Sequence, residues 1–341
     1  MEGVDYVKRQ VFQQCPLQKI ECLVNQKLYP LSSTESIVYL APYTTGIYDE
    51  IVRPLVEDPF GNQIYICKFL KLLCNVFSQF DETDDRIFDA LSAALLKTPF
   101  SQGECNSNNG DGATSVYFTI PQQGFSSIKL LEQRQTLSVD GSTGYRTWEA
   151  ALALSEYIVS NPSTFIGKNC LELGAGTGLV GILLASMGCH VDITDGDEGI
   201  VKQLYRNVDI QPSSTKSNLH VSKFDWSDTQ FVDENGITTR LEENNWDMIL
   251  GADVVYEIDS VYALTGLLSR LLLVSNNEKK NAFALICITR RKPESLELFI
   301  NECNNIGLHV SLCDDFDQRE DTFFYSKAGG IDLWKVSVDS T

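Results

Sequence analysis

The run Asn169-Cys-Leu-Glu-Leu-Gly-Ala-Gly-Thr-Gly178, followed by Val191-Asp-Ile-Thr-Asp195, decides the fold of this 341-residue chain. The apolar stretch from Cys170 to Leu173 reads as a buried parallel strand. Gly174, Gly176 and Gly178 let backbone approach a ligand where any Cβ would intrude. Asp195, ending the next strand about twenty residues on, is placed to accept both hydroxyls of a ribose. A strand, a glycine turn, a helix and an acid at this distance together separate a nucleoside site from a glycine-rich turn with no ligand.

Two cofactors compete for the site, a nicotinamide dinucleotide and S-adenosylmethionine. The dinucleotide fingerprint G-x-G-x-x-G starts at the strand end, and read from Gly174 the third glycine comes one residue early, at Gly178. A register of Gly176, Gly178 and Gly181 does match, but it begins inside the turn. Spacing therefore leaves both open. Glu172, two residues before the first glycine, completes a pattern E-L-G-x-G-x-G that resembles S-adenosylmethionine-dependent methyltransferases. A cofactor without pyrophosphate has less need of a helix N-terminus free to bind anions. The Glu172 carboxylate is suited either to orient the loop or to attract the cationic methionine end.

Composition narrows the class. Hydrophobic residues make up 43% and charged residues 21%, as in an ordinary soluble globular protein long enough for two cores. No apolar run is expected to reach the length needed to cross a bilayer, the richest stretch, Ile64 to Phe80, being broken by Lys68, Lys71 and Asn75. The start, Met-Glu-Gly-Val-Asp-Tyr-Val-Lys-Arg, lacks a basic region followed by an apolar core, so a cytoplasmic protein is expected. Ten cysteines with no C-x-x-C pair read as buried thiols, and with only three histidines a structural zinc site has little support. A formal charge of −19 disfavours nucleic acid as a partner. The one compact basic run, Arg290-Arg291-Lys292, reads as a solvated loop.

Along the chain, residues 1 to about 100 are expected to be mainly helical: Val4, Val7, Val11, Phe12 and Cys15 recur at helical spacing, as do Ile87, Phe88, Leu91, Ala94 and Leu95. Pro30, Pro42, Pro54 and Pro59 break the region between. The polar, glycine-rich segment Ser101 to Gly112 reads as a mobile loop. Val116 to Ile120 and Ser127 to Leu131 suggest a hairpin, and a helix from Thr147 to Val159 is closed by Asn161-Pro162. Then strands (169–173, 191–195, 219–225, 247–253, 282–289, 308–313, 331–338) alternate with helices (178–187, 197–208, 260–274, 294–305). This is the pattern of an α/β doubly wound, mostly parallel sheet, with ligands at the carboxyl ends of its strands. The expected domains are 1–125, mainly helical, and 126–341, the doubly wound one.

Four successive strand ends must then converge: Gly174 to Gly178, Asp195, Asp225-Trp226 and Ala252-Asp253. Trp226 is positioned to stack on an adenine face, or else to cover core at the rim. Ala252 is small where backbone approaches a purine. Asp253 and Tyr256, in Gly251-Ala-Asp-Val-Val-Tyr256, suit an amine acceptor. An ε-ammonium must lose a proton before attacking a sulfonium methyl, and a desolvated aromatic slot lowers its pKa while Asp253 holds it in line. The structural alternative makes Asp253 a cap for the following helix.

The stretch Ser142-Thr-Gly-Tyr-Arg-Thr-Trp-Glu-Ala-Ala-Leu-Ala-Leu-Ser-Glu-Tyr157, with Leu171 to Gly181, Thr194-Asp195, Asp225-Trp226 and Gly251 to Tyr256, resembles the seven-β-strand protein-lysine methyltransferases of family 16. The match spans about Gly141 to Val338. It implies a seven-stranded class I methyltransferase sheet of Rossmann type, with S-adenosyl-L-methionine as cofactor and no metal. Cofactor contacts are implied at Trp148, Glu172, Gly174, Ala175, Gly176, Asp195, Trp226 and Ala252, and catalysis at Asp253 and Tyr256. An N-terminal extension of this size and the segment Thr289 to Phe299 resemble the elongation factor 2 lysine methyltransferases. That implies a monomer acting on a protein substrate, elongation factor 2, with residues 1–125 either recognising it or stabilising the catalytic domain. The rivals are a methyltransferase for small molecules or nucleic acid, the latter opposed by Ala-Asp-Val-Val-Tyr where an Asn-Pro-Pro-aromatic motif would stand, a non-catalytic binding module, and an NAD-dependent oxidoreductase.

Overall fold

The computed structural model describes residues 2–24, 47–78, 84–97, 113–120, 127–133, 143–241, 245–276, 281–316, 322–327 and 329–338. The chain divides into two units, Met1–Thr119 with Leu131–Arg134, and Ile120–Leu130 with Gln135–Thr341. The loop expected at Ser101 to Gly112 lies outside the described residues.

In the first unit, helices span Glu2–Phe12, Leu17–Leu23, Arg53–Glu57, Gln63–Ser78 and Asp85–Lys97, with a π-helical turn at Tyr48–Val52. Gln63–Ser78 buries Ile66, Phe69, Leu70, Leu73, Val76 and Phe77, an apolar stripe at helical spacing. Val7, Val11 and Cys15 are buried as their periodicity predicts. In Asp85–Lys97, Ile87 and Ala94 are buried while Phe88 and Leu95 stay exposed. Asp58 accepts from Tyr117 Oη at 2.6 Å and from the Phe60 amide at 2.9 Å, tying the residues after the Arg53–Glu57 helix to strand β1, Thr114–Phe118. That strand forms a two-stranded sheet with β2, Ile128–Glu132, of which Leu131 and Glu132 belong to this unit.

The second unit is built on one large sheet. Its strands are β3 (Asn169–Leu173), β4 (His190–Asp195), β5 (Leu219–Lys223), β6 (Gln230–Val232), β7 (Thr238–Arg240), β8 (Met248–Ala252), β9 (Phe283–Thr289), β10 (Leu308–Leu312) and β11 (Ile331–Val338). Among the described residues their order is β10-β11-β9-β8-β3-β4-β5-β6-β7. The pairs β3–β4, β4–β5, β3–β8 and β8–β9 are parallel, whereas β11 runs antiparallel between β9 and β10. The seven expected strands are all present, and β6–β7 extends the edge beyond β5. Three-residue strands are too short to show a period of two in sequence, so this hairpin was not foreseen. For the same edge, β5 stops at Lys223 rather than 225, freeing Asp225 and Trp226 for the loop.

From β3 the chain winds outward through β4 and β5, then returns to the other side of β3 at β8. The reversal opens a crevice at the carboxyl ends of β3 and β8. Helices Glu149–Ser160, Leu179–Ser186, Glu198–Asp209, Ile258–Asn276 and Pro293–Asn305 flank the sheet. Leu179–Ser186 is apolar on all sides and buried from Leu179 to Ala185.

One expectation is corrected here. Ile258–Asn276 is 19 residues long with a hydropathy of 1.4, enough by length and composition to span a bilayer. Its Val261, Leu264, Leu267, Leu268, Leu271 and Leu272 are instead buried in the core shared with Ile249, Ala284 and Ile286. Cys15, Cys67, Cys74, Cys170, Cys189, Cys287 and Cys303 are buried free thiols, and Cys313 is half-buried.

Candidate active site

The turn after β3 is pinned by backbone and side chains together. Gly174, Gly176 and Gly178 have φ of 60°, 54° and 83°, the left-handed region that favours glycine. A Cβ on Gly176 would stand 3.1 Å from the Gly144 carbonyl oxygen, so the segment before Trp148 lies directly over the turn. The Ala175 amide donates to the Thr194 carbonyl at 2.9 Å and the Gly176 amide to Asp195 Oδ2 at 3.2 Å. Thr177 is held through its hydroxyl to Thr147 at 2.7 Å and through its carbonyl to Asn207 Nδ2 at 2.9 Å.

Glu172 points beneath this turn. Its Oε2 accepts from the Gly181 amide at 2.8 Å, and burial raises its carboxyl to about 8, with nearby Asp195 adding to the rise. Of the two roles open to it, orienting the loop is the one its hydrogen bond performs. The neutral acid favoured at pH 7 is poorly suited to attracting a cation.

Asp195 closes β4 with Oδ1 accepting from the Asp197 amide at 3.0 Å. Burial raises its pKa, with the Asp197 carboxylate pushing the same way and the backbone amides opposing. A carboxylate offers about four lone-pair directions, so acceptor capacity remains beyond these amides for a ribose hydroxyl. Asp197 itself caps the next helix through the Ile200 amide at 2.9 Å.

Trp148 is the extended residue before Glu149–Ser160 rather than part of that helix, which begins two residues later than the sequence suggests. Its Nε1 donates to the Thr143 carbonyl at 2.8 Å, and Arg146 and Arg291 lie 4.2 and 4.9 Å from its ring centroid. Trp226 lines the cavity and also packs against the core.

Asp253 leaves β8 with φ 54°, a left-handed conformation that aspartate tolerates better than most residues. Its carboxylate does not cap the following helix. Oδ1 accepts from the Thr289 amide at 2.9 Å, and Oδ2 accepts from Thr289 Oγ1 and Arg291 Nη1, both at 3.0 Å. Tyr256 is half exposed, and burial of its inner part together with Glu257 and Asp195 raises its pKa, leaving the phenol protonated at neutral pH.

All ten predicted residues, Trp148, Glu172, Gly174, Ala175, Gly176, Asp195, Trp226, Ala252, Asp253 and Tyr256, line one cavity of about 830 Å³. That volume lies in the range of small-molecule sites. Glycines at positive φ packed against Gly144, Val254 and Trp226, an acid at the end of β4 and an indole at the cavity wall fit an adenosyl ligand. Sequence reasoning missed Thr289, Glu149 and above all Arg291, read as part of a solvated loop. The signal was available: Arg291 follows β9, the next parallel strand, whose carboxyl end faces the same crevice.

A family model described as lysine methyltransferase matches residues 128–305. The protein-lysine N-methyltransferase EFM3 of Chaetomium thermophilum is 27% identical over 281 residues, covering 78% of this chain and 80% of that protein. The human protein-lysine N-methyltransferase EEF2KMT is 27% identical over 246 residues, 69% of this chain and 68% of that protein.

Proposed function

This chain belongs to the lysine methyltransferase family, and from that premise we propose that it transfers a methyl group from S-adenosylmethionine to a lysine ε-amine of a translation factor, elongation factor 2. The observation that carries the reading is the meeting of all ten residues in one cavity at the switch point of the sheet. The finer choice of acceptor is supported by the resemblance of Thr289 to Phe299, by the N-terminal extension, and by a human relative named EEF2KMT.

When bound, S-adenosylmethionine supplies a methyl on a sulfonium sulfur, open to in-line displacement by an amine lone pair. Asp195 accepts from a ribose hydroxyl with its remaining acceptor capacity. Trp226 offers a ring face to the adenine, and Ala252 leaves it room. Gly174 and Gly176 hold the turn at positive φ, tight against Val254 and Gly144, so that its backbone borders the site. Trp148 closes the turn from above with its indole fixed by Thr143.

At the acceptor end, Asp253 and Tyr256 border the slot for the lysine. A desolvated, aromatic-walled slot favours the neutral amine, whose lone pair is the nucleophile. Position and exclusion of water supply the rate, each able to contribute several kcal/mol. Residues 1–125 recognise the folded acceptor on this reading, and the enzyme works as a cytoplasmic monomer.

The test is to incubate a cell extract with the enzyme and methyl-labelled cofactor, then separate the products by mass. A labelled protein of the mass of elongation factor 2, with the label on lysine and lost in Asp253→Ala, supports the proposal. Label confined to small molecules would overturn it; label on another protein would overturn the choice of acceptor.

A further inference from the structure

Arg291 occupies a position that the proposed chemistry does not yet explain. It reaches from the end of β9 to two carboxylates, Nη1 to Asp253 Oδ2 at 3.0 Å and Nη2 to Glu149 Oε2, while its guanidinium lies over Trp148. Asp253 is otherwise held by both donors of Thr289. The other charged and titratable groups around it are Arg146, 4.0 Å from Glu149, Tyr256 and Glu257 after β8, Lys292 with Nζ 3.4 Å from the Tyr256 carbonyl, Asp195 across the cavity, and buried Cys287 behind, which also senses Asp332.

An uncompensated carboxylate beside an ε-ammonium stabilises the charged form and so opposes the deprotonation that methyl transfer needs. A guanidinium keeps its charge at every working pH and matches a carboxylate in geometry. Resting on the function proposed above, we propose that Arg291 is a positioning residue acting through Asp253: it cancels the charge of that carboxylate and fixes its direction. Asp253 thereby aligns the acceptor amine without holding it as ammonium. Glu149 takes the second arm of Arg291 and moderates this effect, and Trp148 couples the same guanidinium to the roof of the glycine turn.

The experiment uses the full-length enzyme, S-adenosylmethionine and the protein that the enzyme labels in extract, with kcat and KM measured from roughly pH 6 to 10, because the kcat profile reports groups in the complex. Arg291→Gln should move the midpoint of the rising kcat limb to higher pH by about one unit, about tenfold in rate below the limb. Arg291→Lys, which keeps the charge, should restore the original midpoint, while Glu149→Gln should move it the opposite way. Uniform loss of rate in Arg291→Gln with the midpoint unmoved, Arg291→Lys shifting as far as the glutamine variant, or an unmoved midpoint in Glu149→Gln would each overturn the inference while the function stands. If the unmodified enzyme labels no protein, the function itself fails and this inference with it.

Discussion

Glu172 shows how one residue carries a cost into the site. Only 3% exposed, it holds its proton up to about 8, whereas in the unfolded chain it ionises near the ordinary carboxylate value. The folded form therefore binds more protons than the unfolded one between those two values, and its stability contribution, full in acid, is lost as pH rises through about 8. Glu172→Gln keeps an acceptor for the Gly181 amide and removes the titration. Its stability relative to the unmodified protein should improve by on the order of 1–3 kcal/mol between about pH 5 and pH 8 in urea denaturation. An equal difference at both pH values would show that the carboxyl does not titrate there. Asp195→Ala should weaken binding of S-adenosylmethionine tenfold or more, since hydrogen bonds to a charged group are lost. Unchanged affinity by calorimetry would remove the ribose assignment.

Between elements, the close approach of the Leu179–Ser186 helix to the sheet depends on Gly181. A Cβ there would stand 2.1 Å from Ile193 Cγ2 on β4 and 2.6 Å from Glu172 Oε2. Gly181→Ala should cost about 1–3 kcal/mol by chemical denaturation, because strand and helix must part to admit it. Gly266, in the exposed face of Ile258–Asn276, has nothing within 4 Å of its Cβ position. Gly266→Ala should stabilise the protein by up to about 1 kcal/mol, from helix propensity and a less flexible unfolded chain. The two variants make the same chemical change with opposite sign, and a loss of stability in both would show that packing around the Ile258–Asn276 helix is tighter than its surroundings indicate.

The molecule as a whole carries a net charge of −19. A field of that sign speeds encounter with a basic acceptor surface and is screened by salt. On the proposed function, kcat/KM toward the protein acceptor should fall as ionic strength rises while kcat stays nearly level; a flat kcat/KM would mean that long-range charge plays no part in capture. The recognition role proposed for the N-terminal region is tested by amide hydrogen exchange of the full-length enzyme with its acceptor. Protection within Met1–Thr119 supports recognition, and protection confined to the rim of the cavity would leave that region the role of a stabiliser.

The order of strands and helices from Asn169 onward, the glycine turn and the acid at Asp195 were legible in sequence because each is written in neighbouring residues. Buried parallel strands are continuous apolar runs, as in Phe283-Ala-Leu-Ile-Cys-Ile-Thr289, and a turn that needs positive φ needs glycine. The length of β5, the β6–β7 hairpin and the start of the helix after Trp148 were less legible, since short edge elements and helix ends depend on capping and pairing rather than on period. The apolar helix Ile258–Asn276 reads the same from composition whether it faces lipid or core; the sheet packed against it settles the matter. Strand order placed Arg291 at the same crevice as Asp253, but which carboxylates it joins only the fold decided. Arg291 and Glu149 stand 142 positions apart along the chain, and only the winding of β8 and β9 beside β3 brings Asp253 and Glu149 to one guanidinium, because charge acts through distance in space and leaves no period in the sequence.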